Sequence, residues 1–441
     1  MNQNDTICAL ATAPGGAIAV IRVSGSKAID ITNAIVIKDI SKAKSATLHY
    51  TELKDHVDYA LVSIFRAPNS YTGEDTTEIS CHGGYYITQQ ILSMLIEQGA
   101  RQALPGEFTQ RSFMNGKMDL SQEESVADLI AATNKATHNM AMSQLRGNFR
   151  KDLEDLRQKL LKLTSLMELE LDFSDQDITF TEREQQLQTA RTIQQHIQKL
   201  RQSFRVGNAL KNGISVAIIG APNVGKSSLL NSLLHEEKAI VSSIQGTTRD
   251  TIEETMEING VQFRFIDTAG IRNTTDEIEQ IGISRTYATI AKARIVLWLF
   301  DELPCETEIH DMQEHCQGKA LIHIQNKIDK MNALLLSSAL QISAKKGIGI
   351  DTLRQAIFKA ANLKELSDTD VIVTNARHYD ALLRAQNSIQ RVINGLQMQL
   401  SGDLLSEDLR QAIDILAEIT GGQITPQETL NNIFSHFCVG K

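Results

Sequence analysis

With 441 residues, 42% of them hydrophobic and 22% charged, the chain has room for about three domains with ordinary cores. A net charge of −9 argues against bulk electrostatic binding of nucleic acid, so any RNA contact needs a local basic patch or a partner's surface. Five scattered cysteines without a CxxC pair exclude a zinc knuckle and favour a reducing compartment, and no leader or 18-residue apolar run is visible, so a cytoplasmic protein without a membrane span is expected.

Residues 1–118 mix short apolar runs (AIAVIRVSG, YALVSIF, TTEIS) with glycine-containing turns. YYITQQILSMLIEQG, 85–99, has helical spacing and a stop at Gly99, and the whole reads as a compact α/β module. Residues 119–212 form the first part of a helical domain. There Leu153, Leu156, Leu160, Leu163, Met167 and Leu171 recur three and four apart, the mark of an amphipathic helix. Strands alternate with helices from 213 to 365, as in a parallel sheet. Helical texture resumes from 366 to 441, with Ser406 expected to cap its second helix. An α/β module inserted between two parts of one helical domain is the simplest organisation.

ISVAIIG, 214–220, is a buried strand running into GAPNVGKSS, which is G-x-x-x-x-G-K-S in the strand–loop–helix setting a phosphate loop needs. Asn223, Val224, Gly225, Lys226, Ser227 and Ser228 line that loop. Its glycines turn backbone N–H groups toward phosphate oxygens, and the next helix adds its positive end. Lys226 reaches the β- and γ-phosphates, and the Ser227 hydroxyl ligates Mg²⁺. In GTTRD, 246–250, Thr248 is placed to close onto Mg²⁺ when a γ-phosphate is present. Asn259-Gly260 joins TIEETMEI to VQFRFI as a hairpin. DTAG follows: Asp267 holds Mg²⁺ through water, Thr268 and Ala269 continue the turn, and the Gly270 N–H senses the γ-phosphate. NKID supplies Asn326, Lys327 and Asp329, whose carboxylate accepts from guanine N1–H and the exocyclic amine, a donor pair adenine lacks. Ser343 and Ala344 of LQISAKKG complete the base site. The fold class is therefore multidomain α/β plus all-α, with an inserted Ras-like P-loop G domain on a mostly parallel sheet.

The hydrolysis machinery departs from Ras, because Ile271 follows Gly270 where a water-orienting Gln would stand. Asn223 sits where its carbonyl can help hold a monovalent cation, a K⁺ ion supplying the charge an arginine finger otherwise brings. DEIEQIG, 276–282, offers three carboxylates, either a solvated switch loop or a source of the water-orienting group.

Taken with YTGEDTTEISCHGG, LPGEFTQRSFMNGKMDL and the terminal FCVGK, the order of parts resembles one family along the whole chain. That family is the bacterial tRNA-uridine 5-carboxymethylaminomethyl modification GTPases, MnmE or TrmE. The resemblance implies homodimers through the N-terminal modules and a flavoprotein partner, MnmG (GidA), which brings the FAD, in a heterotetramer acting on the wobble uridine of certain tRNAs. It implies K⁺-stimulated GTP hydrolysis by G-domain dimerisation, with Asn223 as cation ligand. Ser242, Ser243, Ile244, Gln245, Gly246, Thr247 and Thr248 form the segment around the ion, with Ser242, Ile244 and Thr247 at ligand positions. Glu279 is then the glutamate that orients water. A 5-formyl-tetrahydrofolate-type donor is implied at Arg22, Glu78, Lys117 and Lys441, the N-terminal module thus serving dimerisation and folate binding.

Two other classes stand beside this one. A ribosome-assembly GTP switch of the Era or Der kind shares the P-loop but normally appends a basic RNA-binding module; the extra mass here sits at the N-terminus and in acidic helices, which weighs against that class. A lipid-anchored GTPase rests on Cys438 alone, and CVGK fails the prenylation box at Gly440 and Lys441. Cys438 is read instead as a site residue, its part as nucleophile, proton carrier or packed thiol left open.

Overall fold

The computed structural model describes residues 5–172, 180–235, 254–266, 279–330, 338–362 and 371–422, with Leu430, Ile433, Phe434, Phe437 and Gly440 beyond them. In chain order the first elements are β1 (Ile7–Leu10), β2 (Ile18–Ser24), α1 (Ala28–Ile35), β3 (Thr47–Glu52), β4 (Tyr59–Phe65), β5 (Thr76–His82), α2 (Tyr85–Glu97) and β6 (Arg101–Gln102). Helices α3 (Glu107–Met114), α4 (Leu120–Ala131), α5 (Lys135–Leu145), α6 (Asn148–Asp172) and α7 (Phe180–Asn212) follow. Next come β7 (Ile214–Gly220), α8 (Lys226–His235), β8 (Glu254–Ile258), β9 (Val261–Phe265), α9 (Glu279–Lys292), β10 (Ile295–Phe300), α10 (Glu306–His315), β11 (Ala320–Gln325), β12 (Leu340–Gln341) and α11 (Ile350–Ala360). Helices α12 (Ala376–Gln397) and α13 (Gly402–Thr420) close the series. The chain divides into two compact units, 1–127 with 145–178 and 398–441, and 128–144 with 179–397.

In the first unit the strands form one sheet in the order β3-β4-β5-β2-β1-β6, antiparallel apart from the β1–β6 pair. Alternation sends Ala19, Ile21 and Val23 of β2, Ala60, Val62 and Ile64 of β4, and Ile79 of β5 into a core with Ile31 and Ile35 of α1 and Ile91 and Leu95 of α2. The other face is bare at one end, where Leu48, Tyr50, Tyr59 and Leu61 are exposed and the two tyrosine rings stack at 5.9 Å. At its other end Phe108 of α3 covers Ile7 and Ala9. The tail returns there: Gly106 has φ +65°, and a Cβ on it would lie 2.4 Å from the Phe434 carbonyl oxygen.

Asp119 starts α4 through a capping box. Its Oδ1 accepts from the Gln122 N–H at 3.0 Å, and the Gln122 Oε1 accepts from the Asp119 N–H at 3.1 Å. Helix α6 buries Leu153, Leu156, Leu160, Leu163 and Met167, as their spacing predicts, at about 1.5–3 kcal/mol for each fully buried side chain. It packs on α13. Ser406 is not a cap, which corrects the expectation above. The apolar phase of Leu405, Leu409, Ala412, Leu416 and Ile419 carries α13 back to Gly402, with Ser401 at the N-cap, and the buried Ser406 hydroxyl donates to the Gly402 carbonyl at 2.8 Å.

In the second unit the sheet order is β12-β11-β10-β7-β9-β8, parallel except for the β8–β9 hairpin. Asn259 (φ +52°) and Gly260 (φ +80°) make its two-residue turn, as their types demand. Every residue of β10, IVLWLF, is buried, which suits a central parallel strand. Helices α7 and α12 pack together in this unit. No helix among the described residues is long and apolar enough to cross a membrane.

Candidate functional site

Strands β7, β10 and β11 are parallel neighbours, so the loops after Gly220, Phe300 and Gln325 open on the same edge of the sheet. Such carboxyl ends are where open α/β sheets take their ligands. Gly220 has φ +148°, and a Cβ there would lie 2.2 Å from the Leu299 carbonyl oxygen; only glycine lets the loop leave β7 so close to β10. Asn223 follows in a left-handed conformation (φ +62°) with its side chain exposed, Val224 is buried, and α8 starts at Lys226. Ser227 and Ser228 lie in its first turn, where the helix's positive end faces the loop.

The Lys226 ammonium donates to the Gly220 and Ala221 carbonyls, both at 2.8 Å, and burial pulls its pKa down. It is folded onto the loop its charge would serve, and a phosphate would offer it a far stronger partner. Asn326 is buried and double-bonded: its Nδ2 donates to the Val224 carbonyl at 2.7 Å, and its Oδ1 accepts from the Ala344 N–H at 3.0 Å. One amide thus ties the phosphate loop to the Ser343–Ala344 loop. Asp329 accepts from the Ser343 hydroxyl at 2.7 Å and stands 3.8 Å from Lys346; that hydrogen bond above all holds its carboxyl below the usual range. An ionised acceptor at this edge matches the demand of a guanine's paired N–H donors. Lys327, in left-handed backbone (φ +63°), pairs with Asp301 after β10 at 2.6 Å. Asp301 was not among the residues anticipated; only the pairing of β10 with β11 brings it there.

Ser242, Ser243, Ile244, Gln245, Gly246, Thr247, Thr248, Asp267, Thr268, Ala269, Gly270, Cys438, Lys441 and the side chain of Glu279 lie outside the described residues. Among the described residues no cluster of His, Cys, Asp and Glu is arranged to hold a metal ion.

A second constellation lies on the sheet face of the first unit. Register sets Arg22 of β2 opposite Glu78 of β5, and they pair at 2.8 Å. Arg22 also donates to the Gly440 carbonyl at 3.4 Å, which brings the end of the chain to this pair. Its guanidinium lies over the Tyr71 ring, 5.3 Å from the centroid. Lys117 is exposed, its ammonium donating to the Pro68 carbonyl at 2.9 Å on the loop that carries Tyr71. Tyr71 was legible only as part of YTGEDTTEIS, with no signal of its own.

The loop edge and its residues define a P-loop GTP-binding protein. The "GTP-binding protein TrmE N-terminus" model matches residues 6–117, and the "MnmE helical domain" model matches residues 120–438. The tRNA modification GTPase MnmE of Bacteroides thetaiotaomicron is 51% identical, and that of Phocaeicola vulgatus 49%, each alignment covering 100% of both chains. Among solved structures, the G domain of the T. maritima FeoB iron transporter is 25% identical, with 34% of this chain and 98% of that one covered and a TM-score of 0.25. The chain belongs to the MnmE family of tRNA modification GTPases.

Proposed function

We propose that this GTPase acts with a flavoprotein partner of the MnmG (GidA) type to install a carboxymethylaminomethyl or aminomethyl group at C5 of the wobble uridine of certain tRNAs. The one-carbon unit comes from a 5-formyl-tetrahydrofolate-type donor. The observation that carries this reading is the Arg22–Glu78 pair meeting the tail at Gly440. A carboxylate suits the N–H groups of a pterin, and Arg22 with Lys117 and Lys441 suits the glutamate carboxylates of the same molecule. Cys438 is the proposed thiol of the modification chemistry, and FAD belongs to the partner.

The exposed Leu48, Tyr50, Tyr59 and Leu61 on the same sheet face support a homodimer through the N-terminal modules, on which two partner chains complete a heterotetramer. The protein is placed in the cytoplasm.

In the G domain, Lys226 and the α8 N-terminus hold the phosphates, and Asp329, Asn326, Lys327, Ser343 and Ala344 hold guanine. The hydroxyls of Ser227 and Thr248 are hard oxygen donors of the kind Mg²⁺ takes, with Asp267 through water. Asn223, with Ser242, Ile244 and Thr247, offers oxygens suited to K⁺; its exposed side chain at the loop rim agrees with that part. When bound between paired G domains, K⁺ supplies positive charge beside the phosphates. Glu279 orients the attacking water, while Ser243, Gln245 and Gly246 shape the loop, and Thr268, Ala269 and Gly270 carry the γ-phosphate signal.

Titration of the full chain with 5-formyl-tetrahydrofolate tests the donor site. Saturable binding lost in Arg22→Ala and Glu78→Ala is expected. Binding unchanged in both variants, or none by the wild type, would overturn it.

A further inference from the structure

Glu123, in the first turn of α4, is completely buried, and neither carboxylate oxygen completes a hydrogen bond. The Ser112 and Tyr71 hydroxyls lie against it, and the Ser112 oxygen is itself buried and unpartnered. A carboxylate taken wholly out of water with only two hydroxyls beside it and no cation is strongly disfavoured as an ion. Burial pushes the Glu123 carboxyl up to about 7; the Ser112 and Tyr71 hydroxyls oppose that rise, and the Asp119 carboxylate at the head of the same helix adds to it.

From this acid a line of contacts runs to the sheet face. The Tyr71 hydroxyl bonds Thr109 Oγ1 at 3.0 Å, and its ring lies under the Arg22 guanidinium. Arg22 then pairs with Glu78 and reaches the Gly440 carbonyl. Among the described residues, the ionisable groups that bear on Glu123 are Tyr71, from the loop before β5, and Asp119; Arg22 of β2 stands beyond the Tyr71 ring. All these residues belong to the first unit.

We infer that Glu123 is a positioning residue for the Arg22–Glu78 site: as a neutral acid it donates to the Tyr71 hydroxyl oxygen, fixes the ring on which Arg22 rests, and leaves the guanidinium charge to an anionic ligand. The inference rests on reading that face as the seat of the one-carbon donor. The hydrogen-bond chain is directional: Glu123 gives its proton to Tyr71, and Tyr71 gives its own to Thr109. Once ionised, Glu123 would pull the Tyr71 hydroxyl hydrogen and the Arg22 charge inward, so the ligand's carboxylates would lose their counter-charge.

The test compares full-length wild type with E123Q, E123A and R22A. Infrared difference spectra of wild type between about pH 6 and about pH 8.5 should show the carbonyl stretch of a protonated carboxylic acid, lost at the higher pH and absent from E123Q. Binding of 5-formyl-tetrahydrofolate to wild type should weaken on the order of tenfold across that range, since over a unit above its midpoint nearly all Glu123 is ionised. E123Q, neutral at every pH and still a donor, should bind as wild type does at the lower pH and show no pH dependence, whereas E123A should bind weakly throughout. A missing carboxyl band at low pH, or E123Q keeping the wild-type pH dependence, overturns the inference. Loss of binding in R22A with both Glu123 variants unaffected overturns the inference alone. No binding by wild type overturns the donor-site reading and this role with it.

Discussion

Asn326 donates to the Val224 carbonyl at 2.7 Å across 102 positions of sequence, and the same amide accepts from Ala344. The brace is packed tightly, for a Cβ at Gly225 would fall 2.3 Å from the Asn326 Nδ2. It links the phosphate-side loop to the base-side loop, so nucleotide affinity and local stability should fall together. Asn326→Ala strands a buried carbonyl and a buried N–H, a loss of about 1–3 kcal/mol. Thermal unfolding and GDP titration of the variant should both show it; an unchanged Tm with normal GDP affinity would contradict the brace.

Asp329 is fixed by Ser343 and kept ionised, so its two oxygens are acceptors only. Asp329→Asn turns one acceptor into a donor that opposes the guanine N–H pair. GTP affinity should fall by on the order of 100-fold or more, because a site built to accept from a donor pair rejects a mismatched partner strongly. Xanthine nucleotide, which offers an acceptor in place of the exocyclic amine, should bind the variant better than GTP does. A competition titration with both nucleotides decides it, and equal GTP affinity in the two proteins would refute the assignment.

Asn223 stands exposed in left-handed backbone at the rim of the phosphate loop. If its carbonyl helps hold K⁺, hydrolysis in K⁺ should exceed that in Na⁺ by on the order of tenfold or more, and Asn223→Ala should abolish the difference. The assay is phosphate release at matched ionic strength. Equal rates in the two salts would remove the cation from the account.

Glu107 is almost wholly buried, which pushes its carboxyl up, but pairing with Arg101 at 2.6 Å, the Leu104 N–H and Arg111 outweigh that and hold it below the ordinary range. A folded-state value below the unfolded one adds stability above about pH 4.5, lost as pH falls through the folded value. Glu107→Gln should therefore cost about 3 kcal/mol at pH 7, and less at about pH 3, where the unfolded chain's carboxyl is protonated and part of that stabilisation is gone. Urea midpoints at the two pH values give the comparison, and an equal gap at both would show that the pair is not the source.

Much of this was legible before any coordinates. The phosphate loop and the Asn259-Gly260 turn are local, their residue types demanding backbone shapes that β7, α8 and the β8–β9 hairpin then display. The leucine spacing of α6 foretold its buried stripe. Ser406 misled because a cap signal is weak beside the phase of the apolar stripe through Leu405 and Leu409, which pulled the helix start back to Gly402. What stayed hidden was long-range. The Asn326–Val224 brace needs the β7–β10–β11 order, and the isolation of Glu123 needs α3, α4 and the Tyr71 loop packed together. In the sequence, Glu123 is one of two acids in SQEES-type polar texture, indistinguishable from the exposed kind.

The central claim is that GTP binding and the Arg22–Glu78 face of this chain serve one tRNA modification. The most direct measurement is the nucleoside content of total tRNA from cells lacking the gene and complemented with wild type, Asp329→Asn or Arg22→Ala. The account predicts that 5-carboxymethylaminomethyl- and 5-aminomethyl-type wobble uridines disappear without the gene, return with wild type, and stay absent with either variant. Unaltered wobble uridines in the deletion, or their full return with both variants, would contradict it.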